Sequence, residues 1–112
     1  MSQAPANLFD LRAIDAAAEQ FAAFVDTANL KIERIVSHGQ ASPAGFWYDQ
    51  PWAEWVVVLS GAAGLRFDDA ADITVLRAGD HVLIPARKRH RVEWTEKGCA
   101  TIWLAVHYCE GG

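Results

Sequence analysis

The order of apolar and polar positions divides the chain near Asn29. Before it, Ile14 to Thr27 carries Phe21, Phe24 and Val25 at spacings of three and four among alanines. That spacing predicts a short N-terminal helix, with Asp15 placed to cap it. After Asn29 the period changes. Leu30 to Val36 begins in apolar–polar alternation, the mark of a strand with one solvated face. His38 to Gly45 reads as a loop, Phe46 to Tyr48 as a short aromatic strand, and Asp49-Gln50-Pro51 as its end. Glu54 to Ser60 is apolar on both faces apart from Glu54, which predicts a strand covered on both sides. Gly61 turns the chain into a second hairpin arm, Ala62 to Phe67. Ile73 to Leu76, Val82 to Ile84, His90 to Thr95 and Cys99 to Tyr108 follow, separated by a polar loop, a glycine turn, Pro85 with a basic turn, and Lys97-Gly98. About eight or nine short strands at such intervals predict an all-β sandwich or barrel.

Composition narrows the picture. A chain of 112 residues fits a single domain spanning 1–112. A hydrophobic content of 52% excludes a disordered chain and predicts that some apolar surface is covered by a second subunit, as in a homodimer. The formal net charge of −4 argues against a nucleic-acid partner, because the basic residues gather only at Arg87-Lys88-Arg89 and Arg91. The longest apolar run, Trp55 to Leu59, is too short to cross a bilayer, so no membrane partner is expected. Met1 to Asp10 has neither a basic start nor an apolar core segment, so a cytoplasmic location is expected. Cys99 and Cys109 then read as reduced thiols packed in a strand.

Two segments carry a family resemblance. Gly79, Pro85 and His90 match a glycine, five residues, a proline, and a histidine five beyond it. Glu54 and Gly61 match a glutamate, six residues and a glycine. These segments, about 79–94 and about 45–61, resemble the second and first motifs of the cupin superfamily. The match has gaps: Arg87 stands at the family's glycine two after the proline, Trp94 at its asparagine, and the His-x-His pair before the glutamate is missing. Depending on register, Trp47 and Asp49, Tyr48 and Gln50, or residues slightly earlier occupy that pair. The resemblance implies an antiparallel jelly-roll barrel with the two motifs facing each other across its lumen. Glu54, Val56 and Val58 would share one inward face, and His90, Val92 and Trp94 the other.

The resemblance also implies a site. A cupin metal is typically held by three histidines and a glutamate, a donor set suited to iron, manganese, zinc or nickel. Here Glu54 and His90 are the candidate ligands, with Asp49 or Gln50 completing the shell and His107 in reserve on the last strand. Trp47, Tyr48 and Trp94 take or adjoin ligand positions and are expected to line the pocket, with Tyr48 as an acid or hydrogen-bond donor. One of Arg87, Lys88, Arg89 and Arg91 is a candidate clamp for an anionic substrate, the alternative being solvated turn charges. The expected function is binding of a small organic molecule, as a divalent-metal-dependent oxygenase, isomerase or decarboxylase or as a non-catalytic sensor. The alternatives are a metal-free pocket in which Glu54 and His90 bind each other or the ligand, and a vestigial pocket filled by aromatic rings.

Overall fold

The computed structural model describes residues 4–109. Eight strands form two antiparallel sheets: β1 (Gln20–Asp26), β2 (Leu30–Ser37), β3 (Ala53–Ser60), β4 (Ala62–Phe67), β5 (Thr74–Arg77), β6 (His81–Ile84), β7 (His90–Thr95) and β8 (Thr101–Tyr108). One sheet has the order β1-β2-β8-β3-β6 and the other β5-β4-β7. The inward rows of the two sheets meet in a core of Val56, Val58, Ala63, Leu65, Leu76, Ile84, Trp103 and Ala105. This is the jelly-roll arrangement the resemblance implies.

The chain crosses from the large sheet to the small one at Gly61, the single residue between β3 and β4. Its φ is +85°, and a Cβ there would stand 2.5 Å from Thr101 Oγ1, so only glycine fits. The Thr101 hydroxyl then receives the Ala62 amide and donates to the Ala62 carbonyl, tying the crossover to β8.

The hairpin expected of β3 and β4 is not formed, because β3 pairs with β6 and β8 while β4 pairs with β5 and β7. Three further features depart from the pattern-based reading. The N-terminal helix is absent: its second half is β1, an edge strand paired with β2. A register shift between Ala23 and Val25 leaves Phe24 as an extra residue, and a bulged strand gives Phe21, Phe24 and Val25 the spacing of a helix face. Asp15 caps one isolated turn, accepting the Ala17 amide on its side chain.

The second departure is in β2. Glu33 and Ile35, not the neighbouring Ile32, face the interior, and Glu33 is 5% exposed. The opposite face is covered in part by the N-terminal segment, because Arg34 donates to the carbonyls of Leu8 and Asp10.

The third is in β7, where a register shift against β4 leaves Glu93 without a partner. One extra residue reverses the faces that follow. Thr95 therefore turns inward, and Trp94 lies over Gly64 on the outer side. Cys99 and Cys109 are free, but both are exposed and lie outside the strands.

Candidate functional site

The site is built where β2, β3 and β8 face β7, with one loop closing it. Pairing sets Glu54 of β3 opposite both His107 of β8 and Ile84 of β6, and sets Glu33 of β2 opposite Ala105 of β8. Glu33, Glu54 and His107 therefore project from three adjacent strands of one sheet. His90 enters from the other sheet at the start of β7.

The loop before β3 is held to β7 by a pair of backbone hydrogen bonds between Tyr48 and His90, 2.7 and 3.2 Å. The Arg87 amide donates to the Gln50 carbonyl at 2.7 Å. In that extended stretch alternate side chains point opposite ways. Tyr48 and Gln50 look into the interior, and Asp49 looks out, 3.4 Å from Arg87. Arg87 itself has a φ of 65°, the left-handed conformation that a glycine at this motif position would hold without strain.

Glu33, Tyr48, Gln50, Glu54, His90 and His107 line a cavity of about 100 Å³. Its walls are Ile35, Val56, Leu65, Ile84, Val92 and Trp103, and Phe21 and Glu19 stand at its mouth. A volume somewhat below the roughly 150 Å³ that accepts benzene suits a small ligand that extends toward the opening.

Two imidazoles are fixed in orientation. Trp52 Nε1–H donates to His107 Nδ1 at 2.9 Å, so the proton of the neutral ring is on Nε2, which donates to Glu33 Oε2 at 2.8 Å. His90 Nδ1 lies 2.9 Å from the Lys88 carbonyl. Nδ1 must carry the proton to use that acceptor, which leaves the Nε2 lone pair facing the cavity. The Tyr48 ring stacks on His90 with centroids 5.2 Å apart.

Glu54 lies between the two imidazoles. It is 8% exposed, makes no hydrogen bond to the protein, and places Oε1 3.8 Å from His90 Nε2 and 4.0 Å from His107 Nδ1. Burial pushes its carboxyl above the ordinary range; the nearby histidines oppose that shift, and Glu33 adds to it. Glu33 moves the other way, held down chiefly by the hydrogen bond from His107 and further by Lys31. Burial raises the Tyr48 phenol, with help from Glu19, Glu54 and Glu33, so it stays a donor.

The structure brings Glu54, His90, Gln50 and Tyr48 to one cavity and adds His107, the reserve residue. Asp49 and Trp94 lie elsewhere. Trp47 does not line the cavity and sits under the guanidinium groups of Arg89 and Arg91 instead. Glu19 and Glu33 were missed. The alternation of β2 pointed Glu33 outward, and Glu19 lay in the expected helix; no motif marks either.

The basic turn also has a different role. Arg91 donates to the carbonyls of Ser42, Pro43 and Phe46 and so holds the loop over β7. Lys88 pairs with Asp69, and Arg89 with Asp68.

The donor set decides how well the expected divalent metal fits. His107 has both nitrogens engaged, and Asp49 is turned away. His90 Nε2 and Glu54 remain, with the weak carbonyl oxygen of Gln50. Among the described residues no three His, Cys, Asp or Glu side chains are grouped to hold an ion. Catalytic sites for such metals use about three strong protein donors, so this set does not fit.

Comparisons with known proteins agree with the fold. The Cupin_2 family, described as a cupin domain, matches residues 34–107. A crystal structure from Ralstonia eutropha JMP134, provisionally assigned as a mannose-6-phosphate isomerase, is similar at a TM-score of 0.90 and 48% identity, covering 96% of this chain and 99% of that one. A cupin superfamily protein from Desulfitobacterium hafniense DCB-2 has a TM-score of 0.78 at 19% identity, covering 98% and 94%. A polyketide cyclase from Streptomyces resistomycificus has 0.69 at 20%, covering 82% and 66%. No curated protein matches. Among the described residues no helix is long and apolar enough to cross a membrane. With two thirds of its length matched by the family and its fold shared with these structures, the chain belongs to the cupin family.

Proposed function

We propose that this cupin binds a small carbonyl compound in the cavity and moves a proton on it, with Glu54 as the base and without a resident metal. The observation that carries this reading is the buried Glu54 carboxyl, facing the cavity with no hydrogen bond and with an affinity for protons above the ordinary range. A general base works best when its pKa approaches the working pH, and burial moves Glu54 in that direction.

In the proposed step Glu54 takes the proton from a carbon next to the carbonyl. The C–H electron pair becomes the C=C bond of an enolate, and the carbonyl oxygen gains the charge. The Tyr48 O–H donates to that oxygen. His90 Nε2 takes the proton of the hydroxyl on the carbon that lost its hydrogen and passes it to the former carbonyl oxygen, that hydroxyl's oxygen becomes the new carbonyl, and Glu54 returns its proton to the former carbonyl carbon. The isomerase assignment of the relative at 48% identity names a reaction of this type, since aldose–ketose isomerisation moves hydrogen between adjacent carbons.

The test is solvent exchange. Protein dialysed against EDTA is incubated with dihydroxyacetone in D₂O and followed by proton NMR. Exchange above the buffer rate is expected, with a loss of about 100-fold or more in Glu54→Gln. Exchange no faster than buffer, or exchange that appears only on adding a divalent metal, would reject the reading.

Non-catalytic ligand binding is the second reading, favoured by the full enclosure of His90 at 4% exposure. It predicts saturation-transfer signals from dihydroxyacetone without exchange. A homodimer is also part of the proposal. Val75 on edge strand β5 and Leu83 on edge strand β6 are exposed, which is apolar surface a second copy would cover. Light scattering should then give twice the chain mass. A cytoplasmic setting suits the two free, exposed thiols, which a reducing compartment keeps from pairing.

A further inference from the structure

The charges around the cavity are one-sided. Glu19, Glu33 and Glu54 line it, and no lysine or arginine does among the described residues. The cations nearest in sequence to the site are engaged outside it. Arg87 faces Asp49, Lys88 faces Asp69, Arg89 faces Asp68, and Arg91 is held by loop carbonyls and by Glu93. Lys31 lies 3.8 Å from Glu33 Oε1 with its side chain nearly half exposed, and it is not a wall of the cavity.

The polar groups that reach the interior include two strong acceptors, while the Gln50 amide can accept or donate. His90 offers a lone pair at Nε2, and Glu54 offers a carboxyl that is nine-tenths buried, without a hydrogen bond, and aimed into the space. Tyr48 supplies the phenolic donor. Its phenol is pushed up chiefly by burial and further by the three glutamates.

We infer that the chamber selects ligands by charge: it takes a neutral or cationic molecule rich in hydrogen-bond donors, such as an unphosphorylated hydroxycarbonyl or amino compound, and rejects phosphate esters. A phosphate placed here would meet three carboxylates and no neutralising cation, and sites that bind phosphate supply Arg, Lys or a run of backbone amides. A ligand carrying hydroxyl or ammonium hydrogens satisfies Glu54 and His90, which have no other donors. The inference names the substrate class of the proposed proton-transfer site and rests on that reading for the ligand's place. Its electrostatic part stands independently of catalysis.

The test reads the local potential with a probe that needs no known substrate. Cys99 and Cys109 are replaced by serine, and a reporter thiol is placed at the cavity mouth by Phe21→Cys. Phe21 is 55% exposed on an edge strand, so the variant keeps its core. A control thiol is placed by Val25→Cys, beyond the bulge on the same strand, at a residue that does not line the cavity.

Each thiol is labelled with methanethiosulfonates carrying either trimethylammonium or sulfonate. The thiolate attacks the reagent's sulfur, forms a mixed disulfide and expels methanesulfinate, and mass spectrometry gives the rates. At low salt the cationic reagent should gain about tenfold over the sulfonate at position 21, relative to the ratio on free cysteine. That gain should fall in Glu54→Gln and in Glu19→Gln, and should be small at position 25. Millimolar inorganic phosphate should leave labelling at position 21 unchanged.

A ratio at position 21 equal to that of free cysteine, a preference for the sulfonate, or protection by phosphate would overturn the inference. Failure of the dihydroxyacetone exchange would reject the proposed chemistry and leave these rates unaffected, so the two outcomes are separable.

Discussion

Replacing Glu54 by glutamine should make the protein more stable and less active. The side chain is 8% exposed and has no hydrogen bond, so at neutral pH the fold carries the desolvation cost of a carboxylate without an internal partner. Glutamine has the same shape and no charge, and its amide can donate toward His90 Nε2, which lies 3.8 Å from Glu54 Oε1. A buried polar group without a partner costs about 1–3 kcal/mol. Because the cavity opens at Phe21, the lower part of that range applies, and Glu54→Gln should gain about 1–2 kcal/mol at pH 8. For a domain near this size that is a rise in Tm of roughly 4–8 °C per kcal/mol.

The pH dependence has a fixed sign. The folded-state affinity of Glu54 for a proton lies above that of the unfolded chain, near 4.5. The folded protein therefore binds more protons, and the wild type loses stability as pH rises from about 4.5 through the raised value. The gain from glutamine should be largest at pH 8 and close to zero below pH 4.5. Urea unfolding followed by tryptophan fluorescence measures this, since Trp103 is 4% exposed at the cavity wall. A Glu54→Gln protein that is less stable at pH 8, or whose offset is the same at pH 8 and pH 4, would refute the reasoning. A residue that costs stability where it supports chemistry is the expected trade-off of an active site.

Other substitutions probe the frame around this residue. Glu33→Gln should behave oppositely, losing about 1–2 kcal/mol at pH 7; the loss should close as pH falls through the lowered value of Glu33, because its contribution is present only while it is ionised. Urea midpoints at pH 7 and pH 3.5 measure it. Gly64→Ala puts a Cβ 2.2 Å from Trp94 Nε1 and should cost about 1–3 kcal/mol, with a red shift in emission as Trp94 is displaced. Arg87→Gly relieves the left-handed backbone and gives up only an exposed ion pair with Asp49; its urea midpoint should match the wild type or exceed it by up to about 1 kcal/mol.

The strands were legible in the sequence because β-branched and aromatic runs alternate with glycine and proline signals, but the turn at Gly61 was read as a hairpin, since a local glycine signal does not tell a hairpin from a crossover between sheets. The cupin resemblance implied that Glu54 and His90 face each other, and they lie on β3 of one sheet and β7 of the other. The errors share one physical cause: strand alternation holds only while register is unbroken. The extra residue Glu93 sent Trp94 outward, and the extra residue Phe24 gave an edge strand the apolar spacing of a helix. Glu33 was hidden for another reason. Both faces of β2 are covered, one by the core and one by the N-terminal segment that binds Arg34, so polarity no longer told inside from outside. The engagement of His107 by Trp52 and Glu33 joins residues 55 and 74 positions apart and leaves no local signal.

The most direct measurement is the carbon-13 NMR titration of the Glu54 carboxyl, assigned by its disappearance in Glu54→Gln. Titration clearly above 4.5, with a matching inflection in the His90 ring signals, is what a buried acid sharing a chamber with that imidazole requires. Titration at or below 4.5, with no response from His90, would contradict it.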